Sequence, residues 1–172
     1  MDNLFDKAED IDLSEEDIRD ITKGKCNILS YEQLEGVNNI DEILGVHNAC
    51  ILLYETRQNF GHWVALHKVD NQTIEFFDSY GFAPDEELKY ATYNDTPYLT
   101  PLMKKSNYKF IYNNVKLQVF ASDVNTCGRW TATRIAMRSI PLATFQKLFK
   151  RVKYYRGDWF VSAMTYLYTF DK

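Results

Sequence analysis

The sequence predicts one α+β domain, with a central, mostly antiparallel sheet flanked by helices. Two patterns lead to this. Apolar runs of strand length crowd the middle of the chain, at 49–54, 63–69 and 74–80. From Thr126 onward the apolar residues instead recur at three- and four-residue spacings, as on one face of a helix. A third observation sets the number of domains: 172 residues, 45% of them hydrophobic, suit one sizeable core rather than two. No repeat, low-complexity stretch or linker divides residues 1–172, which therefore read as a single domain.

The elements follow in chain order. The opening is acidic, and residues 1–13 are expected to be a mobile segment. Ser14, followed by Glu15, Glu16 and Asp17, is a helix N-cap with acids in the first turn, where the helix dipole favours them. Asp17 is placed to complete a capping box. Residues 30–34 begin a second short helix, and 39–45 a third that stops at Gly45. Residues 49–54 are a buried strand. Residues 63–69 and 74–80 are two more, joined as a hairpin by the turn residues Asp70-Asn71-Gln72-Thr73. The segment 81–85 breaks the third strand, and 84–90 makes one helical turn. Residues 91–107, with Pro97 and Pro101 among polar residues, read as loop. A fourth strand is expected within 110–120. The helix from Thr126 ends at Pro141, and two more follow over 142–152 and 158–168.

Composition removes several classes. No apolar run reaches the roughly 18 residues that span a bilayer. The acidic start lacks the basic-then-apolar order of a secretory signal, so a soluble intracellular protein without membrane partners is expected. Cys26, Cys50 and Cys127 are too few for a disulfide framework and fit a reducing compartment. No Cys-x-x-Cys, His-x-x-x-His or paired Cys/His cluster occurs, so neither a metal site nor a cofactor is expected. Imidazole chemistry must use His47, His62 or His67.

Charge is uneven. The first twenty residues carry nine acids and two bases, so the remainder of this chain of net charge −4 is net positive. Lys147, Lys150, Arg151, Lys153 and Arg156 cluster near the C-terminus around Tyr154 and Tyr155. Such a patch suits DNA contact. The solvated face of a helix end is the more frequent reading of such a patch.

Three segments hold the chemistry. In Thr126-Cys127-Gly128-Arg129-Trp130 a cysteine stands at a loop-to-helix junction. A helix N-terminus favours thiolate, and the Cys127 N–H can point at an anion on a substrate carbonyl. The segment alone fits a buried structural cysteine as well. In Gly61-His62-Trp63, His62 opens an apolar strand after a polar loop, which puts it at the rim of the sheet. Asp78 ends the next strand among apolar residues, where a carboxylate needs a partner. An odd-length hairpin loop or a bulge would set Tyr80 opposite His62 and Asp78 diagonally beside it, on one face. A regular two-residue turn would put the pair on opposite faces. Gln118 could donate a second hydrogen bond to an oxyanion.

In this order, Gly61-His62-Trp63, Phe77-Asp78-Ser79-Tyr80-Gly81, Gln118 and Thr126-Cys127-Gly128 resemble the adenovirus-protease-like cysteine proteases and their relatives that process ubiquitin-like modifiers. The sequences Phe-Phe-Asp-Ser-Tyr-Gly and Thr-Cys-Gly-Arg-Trp look closest to maturation proteases of virophages and Polinton-type elements. The resemblance implies an adenain-like, papain-like architecture with the nucleophile at a helix N-terminus. It implies a cysteine endopeptidase that cuts capsid or other virion precursors beside small residues such as glycine. His62, Asp78 and Cys127 would be the triad and Gln118 the oxyanion glutamine. Trp63 and Gly128 would bind substrate, Trp63 as the wall of a narrow channel. The gap from Gln118 to Cys127 is longer than in most of the family, so either residues 119–125 bulge or Gln118 is not the oxyanion glutamine. A modifier protease, an acyltransferase with the same Cys/His pair and a non-catalytic DNA-binding virion protein are the rival readings.

Overall fold

The computed structural model describes residues 2–58, 60–90, 95–150 and 156–170. Its helices are α1 (Asp2–Glu9), α2 (Glu15–Ile21), α3 (Ile40–Leu44), α4 (Leu99–Lys105), α5 (Cys127–Ala136), α6 (Leu142–Lys150) and α7 (Gly157–Phe170). Its strands are β1 (Asn27–Ser30), β2 (Ala49–Arg57), β3 (Phe60–Lys68), β4 (Thr73–Phe77) and β5 (Lys109–Tyr112). Short 3₁₀ turns occupy Tyr31–Leu34, Gly45–His47 and Glu86–Tyr90. The protein is α+β.

The five strands lie side by side in sequence order. β2, β3 and β4 are antiparallel neighbours, as the hairpin pattern predicts. The outer pairs, β1 with β2 and β4 with β5, are parallel. The sheet is therefore mixed, which corrects the expectation of a mostly antiparallel one. The reason lies in the connections. A parallel neighbour needs a crossover of about a dozen residues or more, and both 31–48 and 78–108 are long enough and carry helix. The two edge strands have four residues each, too short to show a period. Two segments also differ from expectation. Within 91–107, α4 forms with Pro101 in its first turn, where a missing N–H does no harm, and buries Leu99, Leu102 and Met103. The strand expected within 110–120 ends at Tyr112.

β2 shows how the sheet builds two cores, because successive side chains face opposite sides. Ala49, Ile51 and Leu53 join Trp63, Ala65 and Phe77 beneath α2, α5, α6 and α7. Cys50, Leu52 and Tyr54 join Val64, Leu66 and Phe76 beneath α3 and α4. With both faces covered, the central strands β2, β3 and β4 are mostly buried and mostly apolar. The predicted capping box holds at α2, where Ser14 Oγ accepts from the Asp17 N–H and Asp17 accepts from the Ser14 N–H. Residues 2–9 of the acidic opening form α1, whose Phe5 ring packs edge-on against Trp159 and Tyr166 of α7. No described helix is long and apolar enough to cross a membrane.

Candidate active site

β3 pairs with β2 along its length but with β4 only from Ala65 to Lys68, because the chain leaves β4 after Phe77. The first half of β3 therefore borders an opening, and His62 stands there. The last pair of the hairpin is Lys68 with Ile74, so an odd number of residues, 69–73, lies between the partners, and this register, carried forward, sets Tyr80 across from His62 and Asp78 diagonally beside it. His62 Nε2 lies 3.0 Å from Asp78 Oδ2. Asp78 is held in turn: Oδ1 accepts from the Tyr80 N–H at 2.7 Å, and its carbonyl accepts from Asn113 Nδ2. The Tyr80 ring stacks on the imidazole, with centroids 4.9 Å apart and planes 17° from parallel.

Cys127 is the first residue of α5. Its thiol lies 3.9 Å from the Gly61 carbonyl and within hydrogen-bonding reach of His62. As Nε2 is committed to Asp78, the ring offers Nδ1 to the sulfur. Burial pulls the His62 pKa down, but the Asp78 charge and the hydrogen bonds to Asp78 and Cys127 outweigh it and hold it well above the ordinary value. Thr131 fixes the first turn of α5 to the sheet, its Oγ1 donating to the Cys127 carbonyl at 2.6 Å and the Trp63 carbonyl at 3.1 Å. Gly61 permits the close approach of β2 and β3 here, since a Cβ would lie 1.9 Å from the Tyr54 carbonyl oxygen.

Gln118 joins the group. The N–H groups of Leu117 and Gln118 donate to the Ser79 carbonyl, which draws the segment against the Asp78 turn. Gln118 Oε1 accepts from Ser79 Oγ at 2.7 Å, and Nε2 donates to Tyr80 Oη and the Val124 carbonyl. Residues 119–126 do loop outward, turning at Ala121–Val124, so that Gln118 and Cys127 both line one cleft of about 240 Å³. His62, Tyr80 and Glu87 line it too. A larger hollow of about 570 Å³ near Asn39 and Tyr108 brings together no cysteine and no histidine.

Trp63 and Gly128 are not among the residues that line the cleft. Trp63 is buried in the core, and the Gly128 backbone packs on it, a Cβ there falling 3.2 Å from both Trp63 Cδ1 and Leu13 Cβ. His67 lies further along β3 beside Glu75. Of the basic cluster, Lys147 and Lys150 end α6, and Arg156 is paired with Glu9 at 2.6 Å. Arg151 and Lys153 lie outside the described residues.

Two acids were missed by sequence reasoning. Asp158, fully buried at the start of α7, accepts from Thr126 Oγ1, from Trp130 Nε1 at 2.8 Å and from the Val119 N–H at 2.9 Å. It thereby ties the residue before Cys127 to the residue after Gln118. Its signal was an acid following Gly157, at a helix start facing apolar residues; a Cβ on Gly157 would lie 2.7 Å from the Trp130 ring. Asp158→Ala is expected to lower stability by about 1–3 kcal/mol, because two buried donors and a part-buried one lose their acceptor. Thermal unfolding of the variant against the parent checks this, and an unchanged midpoint would contradict it. Glu87, in the turn Glu86–Tyr90, places Oε1 3.7 Å from His62 Nε2. Nothing in its local sequence marks it. Among the described residues, His62, Asp78 and Glu87 bring three potential ligand atoms within 4.8 Å of one another. With His62 Nε2 committed to Asp78, we read the trio as the polar surroundings of the imidazole.

Fold and site together define an α+β protein that gathers a thiol, an imidazole, carboxylates and an amide in one cleft at the sheet's rim. The chain belongs to the family of uncharacterized protein V9 of Sputnik virophage, with which it is 39% identical over 146 residues, covering 81% of this chain and 83% of that protein. No family model matches the sequence.

Proposed function

We propose that the protein is a cysteine endopeptidase of adenain-like, papain-like architecture, with Cys127 as nucleophile, His62 as base and Asp78 as the group that orients the imidazole. The observation that carries this reading is the 3.0 Å bond from His62 Nε2 to Asp78, with Cys127, the first residue of α5, lining the same cleft as His62. His62 takes the thiol proton, and the sulfur attacks a peptide carbonyl to form a C–S bond. The anion forms beside the N-terminus of α5 and the Gln118 amide, where it competes with Tyr80 Oη for one N–H. The C–N bond then breaks as His62 protonates the leaving amine. Water attacks the thioester, gives its proton to His62, and frees the acid and the thiol.

The virophage relative, together with the resemblance of the motifs, supports virion precursor proteins as the substrates. The test is labelling of the intact protein with a peptide vinyl sulfone ending in a small residue, read site by site by mass spectrometry. Selective modification of Cys127 is expected, lost in Cys127→Ala and slowed about 10²-fold or more in His62→Ala. Modification shared with Cys26 and Cys50, or indifferent to His62, would overturn the reading.

A further inference from the structure

The imidazole meets a second carboxylate that the triad does not use. Glu87 is 7% exposed, and its Oε1, facing His62 Nε2 at 3.7 Å, has no hydrogen-bond partner among the described residues. A buried carboxylate oxygen left without a donor is unfavourable unless a neighbouring charge compensates it. The chain does not otherwise neglect its acids here. Asp78 uses both oxygens, and Glu86, one residue earlier, accepts from Lys89 Nζ and the Ala83 N–H. Glu87 Oε1 is thus left facing the ring that gains positive charge in the proposed reaction.

We propose that Glu87 is a positioning residue which, with Asp78, holds the His62 ring in its protonated form and so maintains the thiolate–imidazolium pair with Cys127. The inference rests on the cysteine-protease reading. Among the described residues, three elements besides β3 present groups to His62: Asp78 and Tyr80 from the turn after β4, Glu87 from the turn Glu86–Tyr90, and Cys127 from α5. Glu87 itself feels His62, Asp78 and Glu86, and Asp12 lines the same cleft. Burial, joined by the Asp78 and Glu86 charges, holds the Glu87 pKa above the ordinary carboxylate value, against the downward pull of His62. An ionised Glu87 favours the imidazolium; the same residue made neutral does not.

The experiment follows the His62 ring by NMR across a pH titration in the full chain, which is practical because it has three histidines. Glu87→Gln keeps the side chain's shape and removes its charge. It is expected to lower the His62 midpoint by about one pH unit or more, the usual effect of an opposite charge within 4–6 Å. Glu86→Gln, on the same turn, is expected to move it far less. A role in packing alone would not shift the midpoint while leaving the thermal unfolding of the variant unchanged. Superimposed His62 titrations of the wild type and Glu87→Gln would overturn the proposal. If Cys127 is still labelled selectively in that case, the protease reading stands. A shifted midpoint without selective labelling would support the charge coupling while overturning the protease reading.

Discussion

Arg134→Met is expected to destabilise the protein by about 3–5 kcal/mol, because it leaves a carboxylate charged, buried and alone. The Arg134 and Glu75 side chains are each 1% exposed and meet in two bonds, Nε to Oε1 at 2.7 Å and Nη2 to Oε2 at 2.8 Å. The guanidinium also donates to the Met137 and Ile140 carbonyls and lies over the Phe145 ring. All three anchor the end of α5. The pair therefore fixes the helix that begins with Cys127 to β4, the strand that delivers Asp78. In a chain of this size the loss corresponds to a fall of roughly 10 °C in Tm. Replacing both partners, as Glu75→Leu with Arg134→Met, is expected to recover most of it, since no charge then remains buried. Urea unfolding of the two single variants and the double variant measures the cycle. A loss below about 1 kcal/mol in Arg134→Met would show that the pair does not carry this load.

The same pair shows what a sequence conceals. Glu75 stands in an apolar strand and Arg134 on a mostly apolar helix, and each alone looks like an exposed position. That they meet depends on how α5 crosses the sheet, 59 residues further along the chain. Asp158 and Glu87 escaped notice for the same reason, as their partners lie on other elements. The parallel edges of the sheet depend on long crossovers, which leave no local period. By contrast, His62 and Asp78 are joined by one hairpin, whose loop length alone decides whether they share a face. Cys127 announces itself by its place before a helix. Local geometry was legible; contacts made by crossovers were not.

His67 is expected to make the protein lose stability as pH falls below neutral. Its ring is 1% exposed, and neither nitrogen has a hydrogen-bond partner among the described residues. Burial and then the charges of Arg134 and Arg138 push its pKa down to about 3. Glu75 Oε2 is 3.9 Å from His67 Nε2 and would favour protonation, but both its oxygens are already engaged by Arg134. The depressed value is therefore the one the environment supports. The unfolded chain takes up this proton near pH 6.5, whereas the folded chain refuses it until about pH 3. Stability from this group is complete above pH 6.5 and falls as pH drops toward 3. By pH 4.5 the loss reaches about 2–3 kcal/mol. His62 acts in the opposite sense: its raised pKa adds stability below its unfolded value, which is lost as pH rises through the folded one. The two are separated by His67→Met, which keeps an apolar side chain in the core and removes the proton site. Urea unfolding at pH 7 and pH 4.5 should show the acid loss reduced by that amount in the variant. Equal losses in wild type and His67→Met would mean that His67 finds a partner for its proton when acidified, with Glu75 the nearest candidate.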